Sequence, residues 1–204
     1  FLPNRIIVLL HLLLIPSYMS SQNEDVLDSL QNLIRKEVTE GTNTFLPVAL
    51  AYDSIAMLSG DTLKMGKGKN FIGMYHYYNG NHRQAINYYL EALPYFTAIL
   101  DTYYIAMMHN NIGAAYEYRK EPENSITYYQ SALRYFTMLQ DTLGMANVLN
   151  NIGIQLNIAI RHDESLENFK KARLLYVALQ DSSMLAVINT NMSECYRLKG
   201  DYQK

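Results

Sequence analysis

The chain has 204 residues, 49% of them hydrophobic, and carries a net charge of −2. That apolar content can fill a continuous core and excludes wholesale disorder. The charge balance offers no concentrated basic surface for nucleic acid, and the single cysteine, Cys195, excludes an intrachain disulfide framework or a multi-cysteine zinc site.

At the N-terminus, Arg5 precedes an apolar run from Ile6 to Ile15, interrupted by His11 and broken at Pro16-Ser17. Ten helical residues span about 15 Å, half of a hydrocarbon core of about 30 Å. Length and basic flank fit a secretory signal peptide, and residues 1–21 are read as a signal peptide or an N-terminal anchor. The cleavage region, Tyr18-Met19-Ser20-Ser21, lacks the usual pair of small residues, which keeps the anchor open. No cysteine follows the run, which argues against a lipoprotein.

Next comes an amphipathic stripe, Val26, Leu27, Leu30, Leu33, Ile34 and Val38, ending near Gly41; Ala49, Tyr52 and Ala56 then mark a shorter second helix. Residues 22–60 read as a divergent N-terminal helix pair.

From Asp61 onward the chain repeats. Asp-Thr recurs at 61–62, 101–102 and 141–142, with Asp181-Ser182 as a relaxed copy, so the spacing is 40 residues. Residues 61–100 and 101–140 share 14 identities without a gap, against about two or three expected by chance. Residues 101–140 and 141–180 share 11. A period of this length denotes stacked supersecondary units. Each unit reads as two helices: Asp caps the first, and in the second unit Ile105, Met108, Ile112, Ala115 and Tyr116 form its apolar stripe. Pro122 opens the second helix, whose stripe is Ile126, Tyr129, Ala132, Leu133 and Phe136. Pro94, inside the second helix of unit 61–100, predicts a kink or an early end, because an interior proline removes a backbone hydrogen bond.

The columns Ile72-Gly73, Ala85, Tyr89 and Ala92-Leu93 recur as Ile112-Gly113, Tyr129 and Ala132-Leu133, then as Ile152-Gly153, Phe169 and Ala172. This pattern resembles the tetratricopeptide repeat family, in a 40-residue, longer-helix variant marked by Asn110-Asn111-Ile112-Gly113 and Asn150-Asn151-Ile152-Gly153. It is similar to the exported repeat region of bacterial signalling proteins. The resemblance implies an all-α fold, a right-handed α-α superhelix of antiparallel helix pairs. The array covers residues 61–204, as units 61–100, 101–140 and 141–180 and a partial unit 181–204.

Other motifs have plainer readings. Gly66-Lys67-Gly68-Lys69 lacks the spacing and the Ser or Thr of a phosphate loop. His82 and His162 share a repeat column, and His76 and His109 have no second ligand at i+4, so no metal site is expected. No catalytic motif occurs, so no enzyme activity is expected of this segment, and no cofactor. In the family the first helices line a concave groove, and an asparagine there often holds a peptide backbone. The resemblance therefore points to the column Asn70, Asn110 and Asn150, joined one turn along by Met74, Tyr77, Glu117 and Asn157. The competing reading of the asparagines is capping and bridging between units. The family's carboxylate-clamp version needs converging lysines and arginines, and only Lys67 is offered, so that version is not assigned.

The expected function is a protein- or peptide-binding module, exported to the periplasm or membrane-anchored. Membrane contact is expected only through the N-terminal segment or a missing C-terminal region, and nucleic acid is not expected here. The alternative is the sensory region of a longer membrane-bound histidine kinase or helix-turn-helix regulator, since a solenoid needs a polar end cap and Lys204 falls inside a second helix. A self-associating scaffold is the third reading.

Overall fold

The structure, a computed structural model, describes the backbone of residues 5–200 and the side chains of residues 23–200. The segment 1–21, read above as a signal or anchor, lies outside the described side chains. Nine α-helices occur among the described residues, and no strand. They are α1 (Arg5–Glu40), α2 (Leu46–Ser59), α3 (Thr62–Tyr78), α4 (His82–Ala98), α5 (Thr102–Tyr118), α6 (Pro122–Met138), α7 (Thr142–Ile158), α8 (His162–Ala178) and α9 (Ser182–Lys199). Each packs on the next in chain order, giving a solenoid of antiparallel helix pairs. From α3 to α8 every helix has 17 residues, while α2 has 14.

Local chemistry sets this regularity at both ends. The carboxylates of Asp61, Asp101, Asp141 and Asp181 accept from the backbone N–H three residues on, at 2.9–3.0 Å. These bonds satisfy donors that a helix start leaves free. At the other end, residues 80, 100, 120, 140, 160 and 180 are all left-handed, with φ between 55° and 76°. The N–H after each bonds back to a carbonyl five residues earlier, as in Asp101 to Phe96 at 3.0 Å, which closes the helix. Only Gly80 in that series is glycine; Ile160 holds the conformation despite its branched side chain, with the Ile160 and Arg161 N–H groups bonded back to Asn157 and Leu156 to offset the local penalty.

The core runs through the stack as a series of buried clusters, with Ile72, Ile112 and Ile152 all buried. Its tightest joints match small residues to rings. A methyl group placed on Gly73, Gly113 or Gly153 would lie within 2.6–2.8 Å of the ring of Tyr89, Tyr129 or Phe169. The paired helices therefore approach to van der Waals contact only because no side chain intervenes. Buried Ser125 and Ser165 donate to the carbonyls of Gly113 and Gly153 at 2.9 and 2.7 Å, tying the same joint with a hydrogen bond.

The same geometry accounts for the Gly-Lys-Gly-Lys run. It lies within α3, where Gly66 packs on Phe96 and Gly68 meets the backbone of Asp53 in α2. Pro94 does not end its helix early: α4 continues to Ala98, as long as α6 and α8. Pro94 and Leu90, whose carbonyl loses its helical donor, both sit on the exposed side, where water replaces the missing N–H. Buried Ala92 and Phe96 hold the helix on either side of the proline.

Gly113→Ala should test the joint. Helix propensity favours alanine by about 1 kcal/mol, whereas overpacking costs about 1–3 kcal/mol. Net destabilisation of up to about 2 kcal/mol in urea unfolding is expected.

Candidate peptide-binding groove

Two first helices, α3 and α5, run side by side and enclose a cavity of about 260 Å³. Asn70, Met74 and Tyr77 line it from α3, and Met107, Asn110, Asn111 and Ala114 from α5; Tyr78 and Tyr89 complete it. Four of the residues predicted for the site, Asn70, Met74, Tyr77 and Asn110, thus meet in one place. Asn110 also lines a second opening with Tyr103, Leu143, Asn147 and Val148 toward α7. Its amide has no hydrogen-bond partner among the described residues. Asn70 is 8% exposed, and its Nδ2 makes only a long contact of 3.6 Å to Met74 Sδ, while its Oδ1 is unpaired.

The other three predicted residues are engaged elsewhere. Asn150 is buried, and its Oδ1 accepts from Asn191 Nδ2 at 3.0 Å, linking α7 to α9. Asn157 Oδ1 lies 2.7 Å from His162 Nδ1. Glu117 Oε2 accepts from the Tyr129 hydroxyl at 2.9 Å. Burial pushes the Glu117 carboxyl above its ordinary range, and the bond from Tyr129 opposes that shift without cancelling it.

A further cavity of about 200 Å³ lies between α1, α3 and the start of α5. Ile34, Val38, Phe71 and Met74 give it apolar walls, and Arg35, Lys67 and Asn70 bring polar groups. Lys67 Nζ sits 5.6 Å from the centroid of the Tyr104 ring, a cation–π distance. Among the described residues neither Arg35 nor Lys67 has an ion-pair partner, so both cations are available to an acidic group at this end of the face. Sequence reading found Lys67 and missed Arg35, because α1 belongs to a pair outside the 40-residue register. The signal available was only the basic residue next to Ile34 in the α1 stripe.

The histidines serve packing. His76 stacks on Tyr88, His82 on Tyr118 and His109 on Tyr135, with ring centroids 4.8–5.6 Å apart. Burial lowers the pKa of all three, favouring neutral rings. Among the described residues no cluster of His, Cys, Asp or Glu has the makings of a metal site, and no helix is long and apolar enough to cross a membrane.

Residues 66–138 match the family model for the tetratricopeptide repeat. Over that stretch the chain carries tetratricopeptide repeats. Several solved repeat structures share its fold. BtubC from P. vanneervenii superposes with a TM-score of 0.65 at 15% identity, over 92% of this chain and 85% of that one. A signal transduction ATPase with numerous domains and a tetratricopeptide repeat sensor, from Pyrococcus horikoshii, gives 0.70 at 19% identity; the match covers 86% of this chain and 28% of that one. A kinesin-light-chain-like protein of nearly identical repeats from Podosopora anserina gives 0.69 at 10% identity, over 87% and 88%. At these identities the likeness speaks for fold alone. No curated protein matches the chain in sequence. The tetratricopeptide fold supports a protein–protein interaction module.

Glu117 supplies a pH test. Because its folded-state pKa lies above the ordinary value, the folded state favours the protonated acid. Its contribution to stability is greatest below the ordinary carboxyl range and is lost as pH rises through the folded pKa. Glu117→Gln keeps an acceptor for Tyr129 and removes the charge. It should be more stable than the parent at pH 7 and lose that advantage in urea unfolding below about pH 4.

Proposed function

We propose that this tetratricopeptide module binds an extended peptide along the face formed by α1, α3 and α5. The observation that carries the reading is the convergence of Asn70, Met74, Tyr77 and Asn110 on one cavity. A carboxamide can accept from a peptide N–H and donate to a peptide C=O, so a free Asn110 amide suits backbone recognition that tolerates sequence. Stacked helices hold the face in shape before a ligand arrives, which lowers the ordering cost of binding. At the α1 end, Arg35 and Lys67 favour a ligand that carries an acidic group there.

Peptides selected from a displayed library of random heptamers test this directly. Asn110→Ala should weaken selected peptides about tenfold with melting unchanged, roughly one uncompensated hydrogen bond. Arg35→Ala with Lys67→Ala should weaken them further at low salt and less at high salt. Asn150→Ala should instead lower melting and leave affinity alone, because Asn191 holds that amide. Binding that survives Asn110→Ala and the double cation variant together would remove the groove from this face.

The apolar run from Ile6 to Ile15 behind Arg5 supports an exported or membrane-tethered placement for the module. Fusing residues 1–40 to an enzyme active only outside the cytoplasm should give active reporter in a bacterial host. A reporter that stays inactive, with the fusion intact in the cytoplasm, would rule this out.

A further inference from the structure

This inference rests on the groove reading and concerns what enters the cavity between α3 and α5. In unit 101–140, Tyr129 lays its ring under Gly113 and spends its hydroxyl on Glu117. One unit earlier Tyr89 makes the same ring contact with Gly73. The register position of Glu117 is there occupied by Tyr77, whose ring packs edge-on against Tyr118 and His82 at 5.5 Å. Tyr89 is 2% exposed, and its hydroxyl has no hydrogen-bond partner among the described residues. Tyr89 also lines the cavity, and the phenol oxygen is the one polar group its side chain can offer there.

Beside it stands Asn70, more than nine-tenths buried, with its amide oxygen unpaired. Asn70 already lines the cavity, and rotation of its amide about the terminal side-chain bond would be needed to present that oxygen to an occupant. The walls are Met74, Met107, Tyr77 and Ala114, and no Asp, Glu, Lys or Arg lines this space. A charged group entering it would give up hydration without a counter-ion. A wholly aliphatic group would fill the walls and leave the floor unpaired. Thioethers favour an aromatic ring between them, and two unpaired groups at the floor call for a tip that both donates and accepts.

We propose that Tyr89 is a recognition residue of the groove, and that the cavity it floors takes a neutral tyrosine side chain from the bound peptide. The incoming hydroxyl accepts from Tyr89 and donates to Asn70, while its ring lies between Met74 and Met107. Phe169 stands at the same register position in unit 141–180, so Tyr89→Phe is a substitution the fold already uses.

The test is a double-mutant cycle on synthetic copies of the heptamers selected above, with affinity read by calorimetry. Enriched peptides should share a tyrosine. Its replacement by phenylalanine should cost about tenfold on the parent protein, and less than about twofold on Tyr89→Phe, whose melting should match the parent. An equal cost on both proteins, or an enriched set without a shared tyrosine, overturns the proposal. Peptides that respond to Asn110→Ala and ignore Tyr89→Phe would sink this inference and leave the groove standing. If no heptamer binds, the groove reading falls first and this falls with it.

Discussion

At Gly73, Gly113 and Gly153 one helix of each pair rests directly on an aromatic ring of its partner, with no room for even a methyl group between them. That close approach governs the spacing of each pair, and because units stack, it also governs where the next pair lands. It further fixes the rings themselves. The Tyr129 ring clamped this way donates its hydroxyl to Glu117 at 2.9 Å, while the Tyr89 hydroxyl has no such acceptor among the described residues. Tyr176, at a different register position, donates to Asn147 at 2.6 Å. What the groove offers a ligand depends on which of these hydroxyls a neighbour has already claimed.

The second constraint is the helix terminator. A left-handed residue recurs every 20 positions from residue 60 to residue 200, and from Asp61 onward every second one is followed by a capping aspartate. Each helix is thus ended and restarted by local bonds, while the angle between helices is left to the glycine–ring joint. This division explains why Pro94 is tolerated. It removes one bond on the exposed side of α4, and both the terminator at Leu100 and the packed Phe96 remain in place.

Much of the fold was legible because the repeat writes the same solution several times. Asp-Thr at each unit head, the Ile-Gly pair and the Ala of the second helix each recur at one spacing, and each has a single physical purpose: cap, joint and close contact. The site was only half legible, for the same reason. A repeat column such as Asn70, Asn110 and Asn150 invites one role, yet the chain gives its members different neighbours. Asn191 reaches Asn150 from a helix 41 residues on, and no described residue hydrogen-bonds Asn110. Asn157 and Glu117 were likewise claimed by His162 and Tyr129, contacts that depend on side-chain direction more than on column. Arg35 escaped notice because it comes from the pair that does not share the register.

The linear stack has a consequence for motion. Each helix leans mainly on its chain neighbours, so loosening at one end need not disturb the middle, and amide protection should decline from the central units outward. The cavity lined by Arg35, Lys67 and Tyr104 spans α1, α3 and α5, which joins the outermost helix pair to the interior of the array. A ligand seated there bridges elements that otherwise open independently. Its occupancy would be felt as a stiffening of the α1–α2 end, so that the stack itself converts binding into a change of local order.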